Sequence, residues 1–438
     1  MKALVQDRNP DRWSTLIELV NPIGDLVECI VPNGKLNGNP RDAIAMLSDH
    51  GLMLADDHNI RPILNLIRKW PVSTFQILTK SVGWTPELDA FILTSGEVIA
   101  RSEAASSYRL EGTPDGKEVG NIATWRDGVA ALAVGNTNLV FAIALAFSTS
   151  LLVFTDLNSV IFHLFGRTST GKTRVLMVAL TVWPKIGVKG KTWDATINGL
   201  EGELARSSHI LLGLDELPKD ASADLGNMIY KVSLGSGKAR SEKDGSAKKR
   251  TDWQTAVIST GEHSMLDTLK RIGKTPTGGQ GVRMIDIPAE GEYGLFDNLH
   301  DHTTSDAFVR ALDRSIRDVS GPAGAAFARH LMAMKTDDLQ ARLEAEISKQ
   351  SEALQDHLGI VSGDDSTNEV RRVLDSFALI AIAGEWATEW GLTGWAPGMA
   401  SDAVRTIAQR WLTGRGTMPL DQSRCLSKEL SAGFMRRL

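Results

Sequence analysis

The apolar positions of Ser14–Val20 and Asp25–Val31 fall into two short strand-like runs that flank Asn21-Pro22-Ile23-Gly24, a pattern that predicts a β-hairpin. Pro40–His50 follows a helical period and stops at Gly51, and Ile60–Trp70 follows another up to Pro71. Phe75–Lys80 and Phe91–Leu93 read as strands around Gly83-Trp84. Residues 103–121, rich in Ser, Gly, Glu and Asp, read as a surface loop or boundary. From about residue 122 the pattern changes to long helices and short, almost wholly apolar strands. Trp125–Gly135 and Leu139–Leu152 predict helices. Val160–Phe165, His209–Glu216, Gln254–Glu262 and Met284–Ile287 predict strands buried on both faces of a parallel sheet. Residues 303–415 are helical in composition, and Val370, Val373, Leu374, Phe377 and Ala381 recur at the spacing of a core face. The pattern predicts an α/β protein in three parts. These are an N-terminal β-rich α+β region over 1–120, a core with its preceding helices over 121–300, and a C-terminal helical domain over 301–438.

Composition adds limits. A chain of 438 residues exceeds a single ordinary core. A net charge of −5 excludes a wholly basic nucleic-acid coat protein, so contact with a polyanion must come from a local patch. Cys29 and Cys425 have no metal-ligand spacing, and no signal-peptide pattern opens the chain, which together predict a cytoplasmic protein without a zinc site. Leu139–Phe154 carries no charge over 16 residues, short of the ~20 needed to span a bilayer, and reads as a buried helix. No membrane contact is expected.

The most specific chemical signal is Gly166-Arg167-Thr168-Ser169-Thr170-Gly171-Lys172-Thr173. An apolar strand precedes it and the helix-forming Arg174–Leu180 follows, the strand–loop–helix setting of a P-loop. Glycines at 166 and 171 let backbone N–H groups turn toward a triphosphate, and the helix dipole favours the same anion. Gly166, Thr168, Ser169, Thr170, Gly171 and Lys172 are thus candidate ATP ligands, and Thr173 a candidate Mg2+ ligand. At the end of the apolar run His209–Glu216 stand two adjacent carboxylates. Asp215 would hold Mg2+ through its water shell, and Glu216 would polarise the water attacking the γ-phosphate. Farther on, Ser259 or Thr260 at the exit of Gln254–Glu262 could orient that water. Arg283 follows a glycine-rich loop and could reach a neighbouring subunit's γ-phosphate, with Arg271 in reserve.

Residues 238–250 carry six Lys/Arg (Lys238, Arg240, Lys243, Lys248, Lys249 and Arg250) against two acids, with the turn signal Asp244-Gly245 between them. A basic hairpin projecting from an ATPase core would track single-stranded DNA by its phosphates, without reading sequence.

In this order the elements resemble a superfamily-three helicase core, and more specifically the helicase-like ATPase family designated domain of unknown function 927 of prophages and mobile chromosomal cassettes. The similarity rests on Gly83-Trp84, Gly166–Thr173, Trp193-Asp194-Ala195-Thr196, Asn198-Gly199-Leu200-Glu201, Leu214-Asp215-Glu216-Leu217, Tyr230, Gly235–Arg240, Ser259–Glu262, Arg283, Ala383-Gly384-Glu385 and Gly391–Trp395. It implies an AAA+-like P-loop NTPase core in a homo-oligomeric ring, a hexamer above all, acting in replication of such an element and served by a separate primase. Two functional readings stay open: a DNA helicase, or an ATP-driven initiator, loader or remodelling ATPase that does not unwind.

Overall fold

The computed structural model describes residues 3–7, 13–54, 59–72, 74–103, 107–112, 114, 116–184, 190–218, 225–237, 240–241, 247–248, 252–273, 281–360 and 365–415. The chain divides into two compact units, Met1–Ile92 with Gly96–Pro114, and Leu93–Ser95 with Asp115–Leu438.

The first unit is built on strands β1 (Ala3–Asp7), β2 (Trp13–Val20), β3 (Leu26–Pro32), β4 (Phe75–Thr79), β5 (Gly83–Trp84), β6 (Ala90–Ile92), β7 (Val98–Ala100) and β8 (Tyr108–Leu110). The predicted hairpin is β2–β3, in antiparallel register from Ser14↔Pro32 to Val20↔Leu26. Its sheet has the order β3-β2-β1-β4-β8, and a smaller one joins β5-β6-β7. Helices α1 (Pro40–Asp49) and α2 (Ile60–Lys69) cover one face, where Ala43, Leu47, Leu64 and Ile67 pack with Ile17, Cys29 and Val31. The stretch expected to be a loop, 103–121, contains β8, which pairs in parallel with β4. A three-residue strand is too short to show a period.

The second unit holds β9 (Val160–Phe165), β10 (Lys191–Thr192), β11 (Leu212–Leu217), β12 (Arg240–Ser241), β13 (Ala247–Lys248), β14 (Ala256–Gly261) and β15 (Met284–Pro288). Five of them form a sheet of order β10-β11-β14-β9-β15, parallel throughout. Its helices are α3 (Thr137–Ser148), α4 (Lys172–Leu180), α5 (Ile197–Arg206), α6 (Leu225–Leu234), α7 (Met265–Arg271), α8 (Ser305–Arg317), α9 (Pro322–Ala333), α10 (Thr336–Leu358), α11 (Asp365–Glu389) and α12 (Met399–Arg415).

Side-chain alternation along β9 assigns the two sheet faces. Phe162 points to one face, where Phe141 of α3 and Phe377 of α11 pack on it at ring distances of 5.4 and 5.5 Å. Ile161 points to the other, into a cluster with Leu200 and Leu204 of α5, Ile229 of α6 and Leu269 of α7. Helices α3 and α11 therefore pack on this face of the sheet and against each other. The Thr137–Phe154 stretch is long and apolar enough to cross a membrane by length and composition, and 89% of it is buried inside the fold. Gly384 on α11 lets this crossing close, because a Cβ there would meet Ala400 Cβ at 2.5 Å and Ala144 Cβ at 2.9 Å. Glu385 beside it caps α12, accepting from Gly398 N–H at 2.8 Å and Ser401 N–H at 2.9 Å. Trp395 ties the same corner down through its indole N–H to Ala130 O at 2.9 Å. These late motif residues are thus structural.

A buried polar row crosses the sheet on the Ile161 face. Ser259, His163 and Asp286 are register neighbours on β14, β9 and β15. The Trp193 indole donates to Ser259 Oγ at 2.8 Å, and Ser259 Oγ lies 2.9 Å from His163 Nδ1. His163 Nε2 lies 3.0 Å from His263 O, which fixes the proton on Nε2 and leaves Nδ1 to accept from Ser259. Burial, with a smaller push from Lys172, lowers the imidazole to about 4. Asp286 accepts from Met265 N–H at 3.0 Å at the start of α7, yet burial, assisted by Asp267, pushes its carboxyl up to about 7.

The two groups act on stability with opposite signs. His163 contributes stability that is present above its ordinary value of 6.5 and is lost as pH falls toward 4. Asp286 contributes stability that is present below 3.8 and is lost as pH rises through about 7. Asp286→Asn keeps an acceptor for α7 and removes only the second dependence. Chemical denaturation at about pH 5 and pH 8 should show the variant gaining on the wild type at the higher pH. Parallel pH profiles for the two proteins would contradict the assignment.

Candidate active site

The loop Gly166–Thr173 joins the carboxyl end of β9 to the first turn of α4, where parallel sheets place their chemistry. Gly171 is the N-cap of α4 and is left-handed, φ +99°, and a Cβ on it would meet the Phe296 ring at 2.8 Å. With no cap side chain to close the turn, the first N–H groups of α4 are left to an anion. Ser169 is also left-handed, φ +61°, a conformation that costs a non-glycine residue about 1–3 kcal/mol. Lys172 is buried, and its ammonium donates to Gly166 O at 2.8 Å and Arg167 O at 2.6 Å. Burial draws its pKa down, against the raising influence of Glu262 and then Asp215.

Asp215 and Glu216 do not close a plain strand. The strand begins at Leu212 rather than His209, which is left-handed with its N–H on Gln254 O at 2.8 Å, and it runs on to Leu217. Between Leu214↔Ser259 and Leu217↔Gly261 the register shifts by one residue, a bulge, and Glu216 within it has φ +55°. In a flat strand two successive side chains face opposite ways; the bulge re-aims the pair. Thr260 fastens it. Its hydroxyl donates to Asp215 Oδ1 at 2.5 Å and accepts the Glu216 N–H at 3.0 Å. Thr173 Oγ1, from the loop, reaches the same Asp215 oxygen at 3.2 Å. Ser259, the other hydroxyl considered for the sensing role, points to the opposite face of the sheet, into the His163–Trp193 row.

Thr168, Ser169, Thr170, Gly171, Lys172 and Thr173 line a cleft of about 1300 Å³, with Glu216 and Thr260 along one wall. The cleft is also lined by Tyr293, Phe296, Ser305, Asp306 and Val309, which sequence reasoning missed. The segment after β15 straps the loop from behind: Ala289 N–H donates to Phe165 O at 2.7 Å and Leu295 N–H to Thr170 O at 2.8 Å. Two buried asparagines buckle the strap. Asn136 Oδ1 accepts from Asp297 and Asn298 N–H at 2.8 and 3.0 Å, and Asn138 Nδ2 donates to Glu290 O and Leu295 O at 3.1 and 2.9 Å. Arg410 of α12 adds a bond to Glu290 O at 2.9 Å. In the sequence Asn136-Thr137-Asn138 is only a polar lead-in to an apolar helix, and no local signal reveals partners about 160 residues away.

Other predicted residues lie elsewhere. Arg283 is not brought to the cleft of its own chain. It precedes β15 at the end of the sheet opposite the Gly166 loop, its carbonyl accepting from Ile161 N–H at 2.9 Å and its guanidinium 5.0 Å from the Tyr230 ring centre. Arg271 sits on α7, its Nη1 at 3.0 Å from His263 Nε2. The basic segment is an antiparallel ribbon where it is described: Arg240↔Lys248 and Ser241↔Ala247 pair, and an isolated bridge joins Ser236 to Asp252. Buried Trp253 roots it, with N–H on Gly235 O at 2.9 Å. Lys238, Lys243, Lys249 and Arg250 lie outside the described residues, as does Cys425.

Among solved structures, the SCCmec type IV Cch active helicase is similar over 94% of this chain and 73% of that one, with TM-score 0.70 and 20% identity, a likeness of fold. The apo NrS-1 C-terminal region aligns over 88% of this chain and 87% of its own, with TM-score 0.33 and 11% identity. No curated protein matches. The family model described as "Domain of unknown function (DUF927)" matches residues 1–252, more than half of the chain and inclusive of the Gly166–Thr173 loop and the Asp215–Glu216 pair, and the protein belongs to that family.

Proposed function

We propose that the protein is an ATP-hydrolysing DNA helicase or translocase with an AAA+-like P-loop core, working in the cytoplasm in the replication of a phage or mobile genetic element. One observation carries the ATPase part: Asp215 Oδ1 is held at once by Thr173 of the glycine loop and Thr260 of the neighbouring strand, with the Glu216 backbone tied to the same hydroxyl. The fold shared with an SCCmec helicase agrees with the wider reading.

In this reading the loop N–H groups and Lys172 hold the triphosphate, and Lys172 exchanges its carbonyl partners for phosphate oxygens. Thr173 and Asp215 are hard oxygen donors fit for Mg2+, and no cluster of three or more His, Cys, Asp or Glu suited to a metal occurs among the described residues. That suits an ion held by few protein groups and by phosphate. Bound there, it would neutralise charge on the β- and γ-phosphates. Glu216 takes the proton from a water as its oxygen bonds to the γ-phosphorus and ADP leaves. Thr260 keeps Glu216 and Asp215 aligned.

Arg283, remote from its own cleft, serves the γ-phosphate of the next subunit in a homo-oligomeric ring, most simply a hexamer. The basic segment with Lys238, Arg240, Lys243, Lys248, Lys249 and Arg250 grips single-stranded DNA by its phosphates. Priming falls to a separate primase. In this reading 1–120 is an N-terminal α+β region, 121–300 the P-loop ATPase core with its preceding helices, and 301–438 a helical domain.

Lys172→Ala should abolish ATP binding in an equilibrium titration. Glu216→Gln should bind ATP as the wild type does while turnover falls by about 100-fold or more, a typical loss for a general base; undiminished hydrolysis would remove Glu216 from its role. The combined changes Lys238→Ala, Arg240→Ala and Lys248→Ala should end strand separation and DNA-stimulated hydrolysis while basal ATPase persists. Unwinding that survives them would remove the basic segment from strand engagement, and a wild type that hydrolyses ATP without separating strands would transfer the reading to a loader or remodelling ATPase.

A further inference from the structure

The catalytic wall of the cleft accounts for one end of it. A volume of about 1300 Å³ exceeds the roughly 300–1000 Å³ of ordinary ligand sites, and it runs on past Gly171 and Arg174. Lys172, Asp215 and Glu216 mark the terminal-phosphate end. A nucleotide lying along the first turn of α4 with its terminal phosphate at that end can reach α8 with its sugar and base, since Tyr293, Ser305, Asp306 and Val309 line the same cleft. That helix is docked on α4 through Arg174 and Asp313, paired at 2.7 Å.

What waits there has the character of a base site. Tyr293 is a large aromatic left 42% exposed on the cleft wall. Its backbone is fixed, since its N–H donates to Phe296 O at 2.8 Å and Leu295, two residues on, is bonded to Thr170 O. Its hydroxyl is engaged by Glu292, which leaves the ring face as the part available for recognition. Across from the loop, the first two turns of α8 present Ser305, Asp306 and Val309 to the same cleft. Arg310, one turn on, pairs with Asp306 Oδ2 and restrains that carboxylate.

We infer that this end of the cleft is a nucleobase subsite selective for adenine, with Tyr293 and Val309 against the purine faces and the Asp306 carboxylate accepting from the exocyclic amine. The inference rests on the nucleotide reading proposed above and adds to it the residues that choose the base. At C6 adenine carries an amino donor and guanine a carbonyl acceptor, so a carboxylate facing C6 favours adenine. An asparagine at the same position can turn its amide and donate to the guanine carbonyl.

The test is a set of calorimetric titrations of the full chain, in Mg2+, with ATP, GTP and inorganic tripolyphosphate. Wild type should bind ATP in preference to GTP. Tyr293→Ala should weaken ATP by roughly tenfold, the scale of a lost base–aromatic stack, and leave tripolyphosphate within about twofold. Tyr293→Phe should restore ATP affinity, and Asp306→Asn should narrow the ATP-to-GTP ratio. Unchanged tripolyphosphate binding certifies that each variant is folded. If Lys172→Ala abolishes tripolyphosphate binding but wild type takes ATP and GTP alike, and neither variant alters the ratio, the base subsite is overturned and the phosphate reading stands. If tripolyphosphate ignores Lys172→Ala, the phosphate reading itself falls and takes the subsite with it.

Discussion

The Thr260 hydroxyl of β14 fastens the end of β11. As a donor it holds Asp215 Oδ1, and as an acceptor it holds the N–H of Glu216, whose backbone is left-handed inside a bulge. Without those two hydrogen bonds the bulge loses the partner of the Glu216 N–H. Thr173 completes the arrangement from the glycine loop. A pair of residues that a flat strand would aim apart is thereby held by one hydroxyl, at the Asp215 carboxylate and at the Glu216 backbone.

The loop they serve is held from behind as firmly as from the side. The strap after β15 bonds to Phe165 O and Thr170 O, the buried Asn136 and Asn138 fix the strap, and Arg410 links it to the last described helix. The helices beyond residue 300 are thus mechanically continuous with the nucleotide cleft. Helix α12 has a hydrogen-bonded path to the loop backbone through Arg410, Glu290 and the strap.

Legibility in the sequence followed the length scale of each feature. The glycine loop is contiguous and chemically specific, so Gly166–Thr173 could be read whole, and the apolar runs before it and before Asp215 marked strands that the fold contains. Long helices such as α3 and α11 announced themselves by composition. The bulge at Glu216 could not be read, because it depends on a register set by β14. Nor could the choice between Ser259 and Thr260, which only sheet-face alternation decides. Short strands β1 and β8 carry too few residues to show a period, and the strap's partners are distant in the chain. Arg283 was correctly placed ahead of a strand, but which end of the sheet it occupies is a property of the parallel topology.

Alignment of both carboxylates by the one Thr260 hydroxyl is open to measurement through ATP turnover and its Mg2+ dependence in Thr260→Val beside Thr260→Ser. The valine variant should bind ATP, lose roughly 100-fold in turnover and need more Mg2+, while the serine variant, which keeps the hydroxyl, should stay near wild type. A valine variant that hydrolyses ATP at the wild-type rate would contradict that alignment.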